Sequence, residues 1–118
     1  AGGVSRLAKV IPRNVATEII VTGDPITAAR AYEIGLLNRV VPTGQHVEGA
    51  LAIARAIAAN APLAVQGGLA LAKKAIDLSD EEGMRAGDAA IAELRNTEDW
   101  KEGPLAFVEK RAPVWKGR

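Results

Sequence analysis

Apolar residues recur every three or four positions along most of this chain, a spacing that places them on one face of a helix. The clearest example spans residues 45–60, where Glu48 and Arg55 fall outside the apolar stripe. The same spacing predicts six further helices, at residues 4–11, 13–21, 28–34, 62–76, 79–94 and from 104 to just before 113. The pattern therefore predicts about seven helices.

Local signals mark several of the helix ends. Pro12 ends the first helix, because its ring leaves no backbone donor. Thr27 is a favoured N-cap residue type, and Gly35 stands where a left-handed residue commonly follows a helix. Ser79, followed three residues later by Glu82, forms a capping box at the start of another helix.

One stretch has the composition of a strand. The β-branched pair in Arg39-Val40-Val41 lies between Asn38 and Pro42. The stretch is too short and too solitary to build a sheet, so it must pair elsewhere or run extended. The predicted fold class is mainly α, with about seven helices and one short strand in a single helical segment over residues 1–118.

The composition is that of a folded protein. A length of 118 residues suits one domain, and the 48% hydrophobic and 25% charged residues are near the globular average. The formal net charge is only +1. Nucleic acid is therefore not expected as a partner, since such proteins carry a strong basic excess.

The chain contains no cysteine and a single histidine, His46. Disulfides, thiolate nucleophiles and zinc sites built from Cys and His are thereby excluded, and the lack of cysteine fits a cytoplasmic location. No run of about 20 apolar residues occurs, so no membrane-spanning helix is expected. The chain begins Ala1-Gly2-Gly3, without an initiator methionine, which suggests a piece cut from a longer protein.

The residues do not supply a self-contained active site. His46 has no second histidine or cysteine beside it, and neither Ser5 nor Ser79 lies in a nucleophile motif. Two acidic groups could act as paired carboxylates, but charge at helix starts, where it complements the dipole, is the simpler interpretation. These groups are Glu81-Glu82 and Glu98-Asp99-Glu102.

The last eighteen residues are basic and carry aromatic side chains. Five basic residues stand against two acidic ones, with Phe107 and Trp115 between them and Trp100 just before. One interpretation is a site for a phosphorylated, aromatic ligand, with cations on phosphate and a ring on a base. The other is a basic C-terminus that favours a helix dipole and solubility. Composition leaves both open.

The order of residues resembles the second half of crotonase-family enoyl-CoA hydratases. The resemblance rests on Gly2-Gly3-Val4-Ser5-Arg6-Leu7, Ile11-Pro12-Arg13-Asn14, Thr22-Gly23-Asp24-Pro25 and Gly35-Leu36-Leu37-Asn38-Arg39-Val40-Val41-Pro42. It continues in Glu102-Gly103-Pro104-Leu105-Ala106-Phe107-Val108-Glu109-Lys110-Arg111 and in Pro113-Val114-Trp115-Lys116-Gly117. It covers essentially all 118 residues, although Val4-Ser5 departs from the Thr-Gln that often follows Gly-Gly in the family.

The resemblance implies the helical C-terminal portion of the crotonase (spiral β/α) fold. It implies an acyl-CoA thioester as substrate, no required cofactor, and a homotrimer or dimer of trimers. In such hydratases two glutamates act as acid and base while two backbone amides polarise the thioester carbonyl. All four groups belong to family segments that precede Ala1, so no catalytic residue is expected in this chain, which should be inactive alone.

Two residues match family positions that contact the adenosine and phosphate part of CoA, namely Phe107 and Lys110. Residues three apart share a helix face, so ring and cation are expected to point the same way. The resemblance leaves hydratase, carnitinyl-CoA-dehydratase-like and isomerase reactions open. The alternative is a non-enzymatic helical module for oligomerisation or interaction.

Overall fold

The computed structural model describes residues 2–118 and contains seven α-helices, as predicted. They are α1 (Gly3–Val10), α2 (Arg13–Thr22), α3 (Ala28–Glu33), α4 (His46–Ala58), α5 (Pro62–Ala75), α6 (Asp80–Leu94) and α7 (Glu98–Glu109). Contacts divide the chain into two compact units, Ala1–Gly49 and Ala50–Arg118. The prediction of a single segment over residues 1–118 stays a prediction.

In the first unit, α1 packs against α2. Ile11, in the break between these helices, and Ala16 on α2 are both buried. The end of α2 is set by Gly23, whose φ of 70° suits a residue without a Cβ, and whose N–H donates to the carbonyl of Ile19. Thr27 caps α3 as predicted, with its hydroxyl accepting from the N–H of Arg30 at 3.1 Å.

The strand prediction is wrong for residues 39–41. No strand is present among residues 2–118, and this stretch runs without regular structure before α4 begins. A strand needs a neighbouring chain segment for its hydrogen bonds, and the described residues offer none. Val40 and Val41 are consequently left exposed, with relative exposures of 49% and 37%.

In the second unit, α5 packs against α6. Pro62 stands at the start of α5, and the capping box opens α6 as the sequence predicts. There the N–H of Ser79 donates to the carboxylate of Glu82 at 2.8 Å, while the hydroxyl of Ser79 accepts from the N–H of Glu82. The hydroxyl of Ser79 also donates to the Glu82 carboxylate at 2.7 Å, and this bond, together with the one from the Ser79 N–H, lowers the pKa of Glu82.

The predicted start of the last helix is wrong. α7 begins at Glu98, and Pro104 lies inside it. Thr97 is the N-cap, accepting a hydrogen bond from the N–H of Trp100 at 3.2 Å, and this signal outweighs the preference of proline for a first turn. The helix therefore includes Glu98, Asp99 and Glu102. It tolerates the loss of one backbone hydrogen bond at Pro104, which has no N–H to donate.

The core is small. The buried apolar residues among the described part of the chain are Ile11, Ala16, Ala31 and Ala106, and no large side chain there is fully buried. No single described helix is long and apolar enough to cross a membrane; α4 and α5 meet that test only as a bent pair, by length and composition.

Candidate functional site

The C-terminal residues 110–118, here called the tail, fold back along α7. At its far end, the carbonyl of Arg118 accepts from the N–H of Glu98 at 2.6 Å, and the guanidinium of Arg118 donates to the Glu98 carboxylate at 2.9 Å. Next to it, both carboxylate oxygens of Asp99 accept backbone N–H groups, from Lys116 at 2.6 Å and Gly117 at 2.9 Å. Asp99 is only 5% exposed, so these two bonds satisfy a buried charge.

A third carboxylate, that of Glu102, binds the near end of the tail. It accepts two hydrogen bonds from the guanidinium of Arg111, at 2.5 and 2.9 Å, and one from the N–H of Val114 at 2.6 Å. The Arg111 guanidinium and the Val114 amide lower the pKa of Glu102 to about 2. The same pairing, together with Glu109, raises the pKa of Arg111.

Trp115 anchors the tail to the rest of the second unit. Its indole N–H donates to the carbonyl of Ala59 at 2.8 Å. Its ring lies so close to Gly103 that an added Cβ there would stand 3.4 Å from it. The tail is therefore a docked segment, held at both ends by carboxylates of α7 and in the middle by Trp115.

The two predicted CoA contacts lie where the helix ends and the tail begins. Phe107 is 85% exposed, an unusual position for a large aromatic ring. Lys110 follows the end of α7 in the left-handed region, with φ 54° and ψ 38°. Among the described residues, it is the one with a positive φ that is not glycine. The expectation that Phe107 and Lys110 share a helix face is therefore wrong, because the helix ends before Lys110.

An apolar cleft lies beside the first half of α7. It has a volume of about 240 Å³, and Leu63, Leu94, Trp100 and Pro104 are among its lining residues. The guanidinium of Arg95 lies 5.9 Å from the centre of the Trp100 ring, within cation–π range.

The other sequence candidates do not gather into a site. His46 is the exposed first residue of α4, and Glu81 and Glu82 stand in the first turn of α6. Asp99 and Glu102 are engaged by the tail, which the helix-dipole interpretation missed. Within residues 2–118, no group of three or more His, Asp or Glu side chains is arranged to hold a metal ion.

The sequence model of the enoyl-CoA hydratase/isomerase family matches residues 1–118. The chain belongs to this family. Enoyl-CoA hydratase EchA19 of Mycobacterium tuberculosis is 41% identical over 117 residues, which are 99% of this chain and 44% of that protein. Carnitinyl-CoA dehydratase of Salmonella typhi is 37% identical over 122 residues, covering all of this chain and 47% of that protein.

Solved structures of the enoyl-CoA hydratase/isomerase family show the same fold. The enoyl-CoA hydratase of Bacillus anthracis has a TM-score of 0.96 and 38% identity, covering all of this chain and 46% of that one. The enoyl-CoA hydratase of Mycobacterium tuberculosis has a TM-score of 0.94, at 35% identity and 46% of its length. The predicted helical C-terminal portion of the crotonase fold is confirmed, and the chain spans about half the length of these relatives.

Proposed function

We propose that this chain contributes the CoA-binding end of an enzyme that reversibly adds water to α,β-unsaturated acyl-CoA. Phe107 stacks on the adenine, and Lys110 pairs with a phosphate of the nucleotide. The observation that carries the proposal is the position of Phe107, which is 85% exposed and lies three residues before the left-handed Lys110. An exposed ring and a cation at a helix end suit a ligand that is both aromatic and anionic.

The chemical step is assigned to residues outside this chain. Water addition needs a general acid, a general base and two amides on the thioester oxygen, which crotonase-like hydratases draw from the segments before this one. Asp99 and Glu102, two carboxylates of α7, already bind tail amides and Arg111. The chain alone is expected to be inactive.

The proposed substrate is an acyl-CoA thioester, with no cofactor required. Relatives that bear the names enoyl-CoA hydratase and carnitinyl-CoA dehydratase support this class. Both names describe gain or loss of water, so we favour water addition over double-bond isomerisation. Degradation of fatty acids, in the cytoplasm, is the proposed setting.

A second candidate, a module for oligomerisation, is favoured by the exposed apolar side chains. Large side chains left open to solvent include Val47 at 59%, Met84 at 72% and Val108 at 76%. Faces of this kind are usually covered by another protein surface. Within the enzyme proposal they serve assembly into a homotrimer or a dimer of trimers.

The test is a chimaera in which this chain replaces the matching part of EchA19. The unmodified relative is the positive control, and a short enoyl-CoA is the substrate. We expect the isolated chain to show no turnover and the chimaera to hydrate the substrate, with Lys110→Ala raising KM at little cost in kcat. A chimaera that folds and assembles like EchA19 yet does not bind enoyl-CoA would contradict the proposal.

A further inference from the structure

Arg111 connects the two ends of a short stretch that has Lys110 at its centre. Its Nε donates to the carboxylate of Glu109 at 2.6 Å, and its two terminal nitrogens donate to Glu102. Glu109 and Arg111 are the residues on either side of Lys110. A guanidinium held at once by Glu102 and by Glu109 therefore fixes the backbone on both sides of Lys110.

Backbone hydrogen bonds also hold this stretch in place. The N–H of Arg111 donates to the carbonyl of Ala106 at 3.1 Å, and the N–H of Lys110 to that of Phe107 at 3.3 Å. Lys110 adopts a conformation that residues with a Cβ seldom take. Such a conformation persists only where its surroundings enforce it. The strongest of those surroundings is Glu102, which accepts three hydrogen bonds from the tail.

We infer that Glu102 is a positioning residue for CoA binding, acting through Arg111 to hold Lys110 in its left-handed conformation. The inference rests on the proposed role of Lys110 as the phosphate contact. Glu102 itself touches no ligand, since its oxygens are taken by Arg111 and Val114. Its removal lets Lys110 relax out of the conformation that aims its amine at the phosphate.

A double-mutant cycle on the 118-residue chain tests this. Affinity for CoA is measured by titration calorimetry at low salt for the unchanged chain, Glu102→Gln, Lys110→Ala and the double variant. We expect Glu102→Gln to weaken binding about two- to fivefold when Lys110 is present and to have no further effect in Lys110→Ala. The control is Glu98→Gln, which removes another carboxylate bound to the tail, through Arg118, and should leave CoA affinity unchanged.

Hydrogen exchange supplies a second measurement that needs no ligand. Glu102→Gln should speed exchange of the Lys110 and Arg111 amides and leave the amides of α5 and α6 unchanged. Faster exchange throughout the second unit would mean general unfolding and would overturn the inference.

The outcomes separate the inference from the function on which it rests. If the unchanged chain does not bind CoA, both the proposed CoA-binding role and the inference about Glu102 are wrong. Binding that weakens in Lys110→Ala but not in Glu102→Gln, or that weakens equally in both backgrounds, removes only the inference. Tighter binding by Glu102→Gln would also overturn it, because it would show that Arg111, once released, binds phosphate itself.

Discussion

The indole N–H of Trp115 donates to the backbone carbonyl of Ala59 at 2.8 Å, joining the tail to the residue that follows α4. This bond connects positions that lie far apart in the sequence. Together with the carboxylates of α7, this bond keeps the tail docked although most of its residues are exposed.

Replacing Trp115 with Phe should keep most of the ring packing and remove this hydrogen bond. We expect the free energy of unfolding to fall by about 0.5–1.5 kcal/mol, the usual net value of one such bond. Urea denaturation provides the measurement. Phe107→Ala is the control, because an 85% exposed side chain should change stability by less than about 0.5 kcal/mol. Equal losses for the two variants would contradict the assignment of Trp115 as the anchor.

Asp99→Asn should be more costly than its small change in shape suggests. The amide nitrogen of asparagine would face a backbone N–H, so one of the two bonds to Lys116 and Gly117 would be lost in a buried position. We expect a loss of about 1.5–3 kcal/mol by denaturant titration. Glu98→Gln, at an exposed pair with Arg118, should lose at most about 1 kcal/mol. Similar effects of the two substitutions would show that Asp99 is not a buried anchor.

The near end of the tail, held by Glu102, should be released in acid. The pKa of Glu102 falls from 4.5 to about 2 on folding, so its contribution to stability is complete above pH 4.5 and is lost as the pH drops through about 2. Amide signals of Val114 and the fluorescence of Trp115 should report this release. In Glu102→Gln the same signals should lack that step. A step of equal size in the variant would assign the transition to another group.

Lys110→Gly should stabilise the chain while weakening its binding of CoA. Glycine adopts the left-handed region freely, whereas a residue with a Cβ loses about 1 kcal/mol there. We expect a higher melting temperature with a several-fold lower CoA affinity. Gly23→Ala is the control for the opposite change, from glycine to a residue with a Cβ. Gly23 has a φ of +70° and nothing lies within 4 Å of an added Cβ, so this substitution should lower stability by a similar amount. A lower melting temperature for Lys110→Gly would contradict the claim that the backbone is strained at this position.

Features that depend on neighbours in the sequence were predictable. The hydroxyl of Thr27 and the capping box of Ser79 and Glu82 each act within three residues, so their roles can be read from local order. The strand at residues 39–41 could not be judged in that way, because a strand depends on a partner segment elsewhere. The start of α7 was mispredicted at Pro104, a residue type that suits a first turn, whereas the hydroxyl of Thr97 caps the helix earlier in the chain.

The docking of the tail was the largest feature that the sequence did not reveal. Asp99 and Glu102 look like ordinary acidic residues near a helix start until the chain turns back at Lys110 and brings amides and Arg111 to them. The sequence did contain one indication of this docking, since the acidic residues of α7 are followed by basic residues that could pair with them. Which acidic and basic residues pair depends on the left-handed turn at Lys110, and no local sequence motif predicts that conformation for a lysine.

Titration calorimetry of CoA into the 118-residue chain tests the central claim most directly. At low salt, we expect binding that weakens about two- to fivefold in both Lys110→Ala and Phe107→Ala, as an exposed contact is worth about 0.5–1 kcal/mol. The loss in Lys110→Ala should shrink as salt is added, because screening weakens an exposed charge pair, while the loss in Phe107→Ala should persist. Absence of binding, or equal affinity of all three proteins at low salt, would contradict the assignment of these residues to CoA.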